Sequence, residues 1–294
     1  MALLDKLRRL YRRLPGVNRA QAQLLEIQKL RQVCNETLVR SLLRHDPRYA
    51  VPGSLARHEH QVFSQGGEDG IIREIFRRIG HGSRLFVEFG VEDGRQTNSH
   101  FLLHDGWTGC WLEANPRAVA AIKTGFAPLL RDGRLRVEQS FITAENIALS
   151  FRSLSVSKNL DVLSIDIDGN DFWVCQALTE WRPRVVVIEY NAHFPADCDW
   201  VMPYDASHHW QRDSHFGASL KALERLGSEL DYRLVGCCLA GTNAFFVRAD
   251  LAGDAFCHDS SAEFHYEPVR FFLATRSGYD ASARVNGNPL ERLP

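Results

Sequence analysis

Acidic side chains beside glycines mark the first part of this sequence that could do chemistry. Residues 84–94, RLFVEFGVEDG, read as a buried strand that carries Glu88 and turns at Gly90 and Gly94. Glycine lets a backbone approach a ligand closely, and such a turn is where doubly wound sheets bind nucleotide-like cofactors. The next strand, GCWLEAN, ends about twenty residues later in Glu113, where a carboxylate can accept hydrogen bonds from both ribose hydroxyls. The pair predicts a site for an adenosyl cofactor.

The acids within the turn indicate which adenosyl cofactor the site favours. Glu92 and Asp93 place two negative charges where a dinucleotide would place its pyrophosphate, which disfavours NAD. S-adenosylmethionine (SAM) carries a sulfonium and an ammonium and no phosphate, so nearby carboxylates suit it. Glu92 would either contact the ammonium of SAM or only shape the loop. The sequence favours SAM, and an NAD-dependent oxidoreductase is the alternative.

A second set of candidate residues ends two later strands. The segments LSIDIDGND and VVIEYNAHF each run from apolar residues into acids and amides. Because ligands bind beyond the carboxyl ends of parallel strands, these side chains should meet at one edge of the sheet. Converging carboxylates repel one another unless a cation, an arginine or a proton separates them. The set consists of Asp166, Asp168, Asn170, Glu189, Asn191 and His193.

Two mechanisms are open for this edge. A hard divalent ion such as Mg²⁺ or Mn²⁺ accepts carboxylate and amide oxygens, which predicts a metal site made of Asp168, Glu189 and Asn191. Without a metal, His193 is the predicted general base, because imidazole titrates near neutral pH. Asp168 is the second predicted catalytic residue. A plainer alternative is that Asp166 caps the next helix and that the residues after it form an ordinary turn.

The elements that must position these residues alternate regularly from residue 60 onward. Apolar strands separated by amphipathic helices predict a doubly wound α/β fold with a mostly parallel seven-stranded sheet. Only LAGTN separates the last two strands, so they read as a hairpin whose final strand is antiparallel. The strands are expected near residues 84–90, 109–113, 134–138, 161–167, 184–190, 231–237 and 243–248. One helix is expected within residues 63–80, FSQGGEDGIIREIFRRIG, and another is expected to start near Thr143. The other helices are expected near residues 96–105, 116–124, 170–179 and 217–229.

The first fifty residues form a helical extension that differs from this pattern. Residues 1–14 read as a basic amphipathic helix, and residues 18–44 carry a second helical pattern. The basic helix would attach peripherally to an anionic membrane or dock on a partner, and the second would support self-association. Packing of both helices on their own domain is the alternative.

Composition excludes several classes of protein. The chain has 294 residues, 45% hydrophobic content and a formal net charge of −1, so it carries no general field that attracts nucleic acid. No apolar run of about 18 residues is present to span a bilayer. The seven cysteines form no CxxC pair and suit reduced thiols, and no signal-peptide pattern opens the chain. We therefore expect a cytoplasmic protein, either free or held on the inner face of the membrane.

The connection after the fifth strand is long and aromatic. Residues 191–216 contain Trp200, Tyr204, Trp210 and four histidines. Rings with polar edges suit an oligosaccharide, whose C–H faces stack on them. A cap that only packs over the sheet would use the same residues.

Several motifs, taken in order, resemble the FkbM-type family of bacterial SAM-dependent methyltransferases. They are FSQGGEDGII, FVEFGVEDG, GCWLEANP, DVLSIDIDGND, VVVIEYNA, GASLKALERLG and LVGCCLAGTNAFFVR. The match covers roughly residues 60–250, between the extension at 1–50 and a tail at 251–294 expected to pack on the domain. The resemblance implies a class I methyltransferase fold, SAM as donor, and O-methylation of a hydroxyl, often on a sugar of a bacterial surface glycan.

The resemblance also implies roles for single residues. Glu88, Gly90 and Gly94 match the cofactor loop, with Glu92 at the usual middle glycine, and Glu113 matches the ribose acid. Asp166 or Asp168 would lie beside the methionine end of SAM or beside the acceptor. A partner subunit that keeps this fold without catalysis is a further alternative. Gln65, Glu68 and Asp69 belong to a matching motif and have no assigned role.

Overall fold

Seven strands form one sheet in the computed structural model, which describes residues 15–273. The strand order is β3-β2-β1-β4-β5-β7-β6, and all pairs are parallel except those made by β7. This confirms the mostly parallel seven-stranded sheet with a final antiparallel hairpin. The strands are β1 Leu85–Phe89, β2 Thr108–Glu113, β3 Leu135–Gln139, β4 Val162–Ile165, β5 Val185–Glu189, β6 Tyr232–Cys237 and β7 Asn243–Arg248.

Helices cover both faces of this sheet. Adjacent strand residues point to opposite faces, so that Phe86 belongs to one apolar core and Val87 to the other. Both cores include residues beyond position 250, such as Phe256 in the first and Ala262 in the second. The helices are α1 Pro15–His45, α2 Glu68–Ile79, α3 His100–His104, α4 Pro116–Gly125, α5 Ala127–Arg131, α6 Ile147–Ser153, α7 Asp171–Ala177, α8 Leu220–Glu229, α9 Ala249–Ala252 and α10 Ala262–His265.

Among the side chains of helix α1 that the structure describes, those in its C-terminal part pack on the domain. Val39, Leu42 and Leu43 lie against the first core, and the Asn35 amide donates to the carbonyl oxygen of Phe272 at 2.7 Å. Farther toward the N-terminus the apolar side chains of α1 are exposed, Ile27 by 62%. Self-association through residues 18–44 stays a prediction. The basic helix at residues 1–14 and the tail after 273 lie outside the described residues, and between these limits no helix is long and apolar enough to cross a membrane.

A stack of buried aromatic rings lies behind β2. The His100 ring is 4.0 Å from that of Phe63 and 5.0 Å from that of Phe126, measured between centroids. Its Nε2 is buried and has no hydrogen-bond partner among the described residues. Burial, with a smaller contribution from His104, lowers the pKa of His100 to about 3. The histidine is therefore neutral in the folded protein.

We expect His100→Phe to make the protein less sensitive to acid denaturation. Unfolding returns the pKa of this histidine from about 3 to its ordinary 6.5, so the unfolded chain binds more protons between these values. Wild-type stability is therefore complete above pH 6.5 and falls as the pH drops. At pH 5 this histidine lowers the free energy of unfolding by about 2 kcal/mol relative to its value above pH 6.5. Urea unfolding should show that the free energy of unfolding falls less between pH 7 and pH 5 in His100→Phe than in wild type. The exposed control His258→Phe should lose as much as wild type does.

Candidate functional site

A cavity of about 940 Å³ opens at the carboxyl ends of the strands. The turn after β1, the ends of β2, β4 and β5, and the long connection after β5 all contribute to its wall. The structure brings eight of the predicted site residues to this wall. They are Gly90, Glu92, Glu113, Asp166, Asp168, Asn170, Glu189 and His193.

The turn after β1 depends on backbone that favours glycine. Gly90 has a φ of +69°, and a Cβ there would lie 1.6 Å from the carbonyl oxygen of Asp166. Glu92 has a φ of +47°, the left-handed conformation that glycine adopts most easily. The glutamate that replaces the usual middle glycine thus keeps a glycine-like backbone. Strained backbone of this kind is common at ligand sites.

Glu113 at the end of β2 joins the two sides of this turn. Its carboxylate accepts a hydrogen bond from the backbone N–H of Glu92 at 2.8 Å and one from that of Asn115 at 2.8 Å. The side chain also lines the cavity. Since each carboxylate oxygen can accept more than one hydrogen bond, Glu113 keeps acceptor capacity toward the cavity. It can therefore hold a diol while it fixes the turn.

Glu88 and Gly94 support the turn from behind and do not line the cavity. The buried Glu88 carboxylate accepts from the backbone N–H of Asn98 at 2.8 Å and of Ser99 at 3.0 Å, and from the Ser99 hydroxyl. These bonds end the loop before α3, which begins at His100 and not near residue 96 as predicted. A Cβ on Gly94 would lie 2.5 Å from the Trp111 ring. The structure thus places both residues behind the turn and outside the cavity wall.

Three acids converge at the ends of β4 and β5. Oxygens of Asp166, Asp168 and Glu189 all lie within 4.8 Å of one another. In the part of the chain that the structure describes, these carboxylates accept no hydrogen bond, and Oε2 of Glu189 is buried. Burial, followed by the neighbouring carboxylates, raises the pKa of Asp166 and of Glu189 well above the usual range. Burial and the charges of Asp171 and Glu92 raise the pKa of Asp168 to about 6. Three carboxylates this close together require bound protons or a cation to offset their mutual repulsion.

Asn191, the predicted amide ligand, does not join these acids. Its Nδ2 donates to the carbonyl oxygens of Ser214 at 2.8 Å and Phe216 at 3.0 Å, and its Oδ1 accepts from the backbone of His193 at 3.2 Å. Asn191 is fully buried and holds the long connection in place. Asp166 takes the third position of the acidic group, so the composition of the predicted metal site is corrected.

The turn after β4 is fixed by Asp171 and not by Asp166. The Asp171 carboxylate accepts from the backbone N–H of Ile167 at 2.8 Å and of Gly169 at 2.9 Å. Asp168 between them has a φ of +54°. The capping alternative considered for Asp166 therefore applies to Asp171, which leaves the Asp166 carboxylate facing the cavity.

The long connection after β5 forms much of the outer wall. His193 is exposed, and its ring is 6.1 Å from that of Phe271. The His208 ring lies over Gly169, where a Cβ would be 2.4 Å from its Cδ2. Trp210 and Arg212 also face the cavity.

Sequence reasoning assigned no role to several residues of this wall. Gln65 lies in a quoted motif but gave no chemical signal by itself. Phe271 lies outside the residues that resemble the family, in a tail whose sequence pattern indicates no binding or catalytic role. The other unassigned wall residues include Ser140, Phe141, Arg212 and Thr242.

The comparisons with known proteins found a distant likeness to solved structures. The sequence matches no protein-family model and no curated protein. The pyocyanin biosynthetic protein PhzM has a TM-score of 0.38 at 16% identity, with 60% of this chain and 54% of that chain covered. The N-terminal domain of EvdMO1, solved with S-adenosylhomocysteine (SAH) bound, has a TM-score of 0.39 at 10% identity over 61% and 79%. The methyltransferase domain of bacterial CtHen1-C has a TM-score of 0.40 at 13% identity over 62% and 97%.

The strand order defines the class of fold. A mostly parallel seven-stranded sheet with an antiparallel β7 between β5 and β6 is the class I methyltransferase fold, as the sequence predicts. The match spans about half of the length of PhzM. A likeness of this degree does not show the activity of this chain, and only its own residues can indicate that activity.

Proposed function

We propose that this chain is a SAM-dependent O-methyltransferase. The observation that carries the proposal is the position of Glu113, whose carboxylate lines the cavity and fixes the turn that begins at Gly90. A ribose diol bound there would leave the sulfonium end of SAM to extend toward Asp166 and Glu189. Their carboxylates suit a cationic cofactor and would repel the pyrophosphate of NAD.

The cavity also supports a sugar hydroxyl as the acceptor. Phe141, Trp210 and Phe271 are each at least 40% exposed although all three line the cavity. Open ring faces with polar groups between them suit a saccharide, whose C–H faces stack while its hydroxyls form hydrogen bonds. Together with the FkbM resemblance, this favours a hydroxyl of a bacterial surface glycan. In this proposal His193, beside Phe271, would accept the proton of that hydroxyl.

We further propose that the acidic group holds a divalent cation. Three converging carboxylates without hydrogen-bond donors fit Mg²⁺ or Mn²⁺, which prefer oxygen ligands. Asp166, Asp168 and Glu189 would hold the ion, with waters or acceptor oxygens completing its coordination. A bound cation stabilises a developing alkoxide, and the residues of this chain would then supply orientation and proton removal.

We expect Glu113→Gln to bind SAH about 10- to 100-fold more weakly than wild type. The amide loses the charge that strengthens hydrogen bonds to a ribose diol, an effect of about 1.5–3 kcal/mol. Isothermal titration with SAH and with NADH measures this directly. The exposed Glu138→Gln on β3 is the matched control and should bind SAH as wild type does. Wild-type protein that binds NADH and not SAH would contradict the proposed function.

A further inference from the structure

Gln65 is the exposed member of a buried stretch. Residues 63–69 are buried apart from Gln65, which faces the cavity. Its side-chain amide has no hydrogen-bond partner among residues 15–273. An open amide in an otherwise buried loop is available to a ligand.

Two buried carboxylates fix the backbone on both sides of Gln65. One oxygen of Asp69 accepts from the backbone N–H groups of Val62 at 2.8 Å, Phe63 at 2.7 Å and Ser64 at 2.9 Å. Glu68 accepts from the backbone N–H of Gly66 at 2.8 Å. The Gln61 side chain also donates to the carbonyl oxygen of Gln65 at 2.8 Å. A ligand that binds the Gln65 side chain would therefore meet a backbone that is already ordered.

Glu68 also places this loop at one side of the cavity. Its other oxygen accepts from Nδ2 of Asn243 at 3.2 Å and from the Thr242 hydroxyl at 3.4 Å, at the start of β7. In the sheet order, β7 lies beside β5, whereas Glu113 on β2 lies on the far side of β1. Gln65 therefore faces the part of the cavity opposite the proposed ribose site.

The charge of that part limits what Gln65 would bind. It contains Asp166, Asp168 and Glu189, which suit the sulfonium and ammonium of SAM but repel the carboxylate of its methionyl end. That carboxylate requires a hydrogen-bond donor without a negative charge. The Gln65 amide is such a donor, and it lies on the side toward which the methionyl group would extend.

We propose that Gln65 is a cofactor-positioning residue whose side-chain N–H donates to the methionyl carboxylate of SAM. This rests on the proposed function, because it requires an adenosyl cofactor bound through Glu113. The contact fixes the methionyl end, and thereby the direction of the sulfonium methyl group. The FSQGGED motif then has one role, in which Asp69 and Glu68 order a loop that presents Gln65.

The test compares SAH with decarboxylated SAM, which keeps the adenosine, the sulfonium and the ammonium and lacks the carboxylate. Gln65→Ala should bind SAH about 10-fold more weakly than wild type, as expected for one hydrogen bond to a charged group. Its affinity for decarboxylated SAM should not change. Gln65→Glu should lose more SAH affinity and keep decarboxylated SAM, because it places a carboxylate against a carboxylate.

The controls separate this inference from the proposed function. Gln28→Ala on the exposed part of α1 is the matched control, and thermal unfolding of every variant should match wild type because both glutamine side chains are exposed. Wild type that binds neither ligand would overturn the proposed function together with this inference. Wild type that binds both, with Gln65→Ala weakening both equally or neither, would overturn the role of Gln65 alone.

Discussion

Replacing Gly90 with alanine is expected to destabilise the fold by about 2–5 kcal/mol and to abolish SAH binding. Two costs add at this position. A φ of +69° costs a residue with a Cβ about 1–2 kcal/mol. The new methyl group would also lie 1.6 Å from the Asp166 carbonyl oxygen, and overpacking of this kind costs about 1–3 kcal/mol. Relief of the clash must separate the turn from the end of β4, which would move both walls of the site.

The chain offers a matched control for this variant. Gly133 has the same φ of +69°, but a Cβ there meets nothing within 4 Å. Gly133→Ala should therefore lose only the conformational part and keep SAH affinity. Urea unfolding and SAH titration of both variants separate the two costs. Equal stability of the two variants would show that the Asp166 carbonyl does not limit the turn.

The sheet and its edge were predictable because their signals are local. Each strand is an apolar run ended by polar or turn residues, and parallel strands bring their carboxyl ends to one edge. Glu113, Asp166 and Glu189 could therefore be placed together from sequence alone. The hairpin of β6 and β7 was predictable for the same reason, since only residues 238–242 separate the two strands.

The composition of the acidic group was less predictable. Strand β5 ends at Glu189, so alternation along the strand no longer sets the direction of Asn191. The fold of residues 191–216 sets it instead and turns the amide toward Ser214 and Phe216. Phe271 reaches the cavity across 78 residues from His193, and no local pattern records a contact of that kind.

A hydrogen bond to Glu113 explains how Glu92 can occupy a position where glycine is usual. Its backbone N–H donates to Glu113, and this bond offsets part of the cost of a left-handed φ. The sequence shows the substitution but not the hydrogen bond, because Glu92 follows β1 whereas Glu113 ends β2. Position 92 therefore combines a glycine-like backbone with a carboxylate at the cavity wall.

Removal of divalent cations is expected to lower the rate of methyl transfer at least about 100-fold, if the cation stabilises the developing alkoxide by roughly 3 kcal/mol. Mg²⁺ or Mn²⁺ added after EDTA should restore the rate in wild type. Asp168→Asn should recover little activity, because it replaces a charged carboxylate by a neutral amide in a group whose oxygens lie within 4.8 Å of one another. The exposed Asp254→Asn should recover as wild type does.

Binding of Mn²⁺ gives a measurement that does not depend on finding the acceptor. Titration should show one Mn²⁺ per chain in wild type and in Asp254→Asn, and a Kd at least about 10-fold weaker in Asp168→Asn, because the lost charged ligand contributes more than about 1.4 kcal/mol. Burial and then mutual repulsion raise the pKa of Asp166 and Glu189, and a bound cation offsets that repulsion, so Mn²⁺ should increase the thermal stability of wild type. Methyl transfer that is indifferent to EDTA, in protein that binds no Mn²⁺, would remove the metal and leave proton removal to His193. In that case His193→Ala, and not Asp168→Asn, would cause the larger loss of rate.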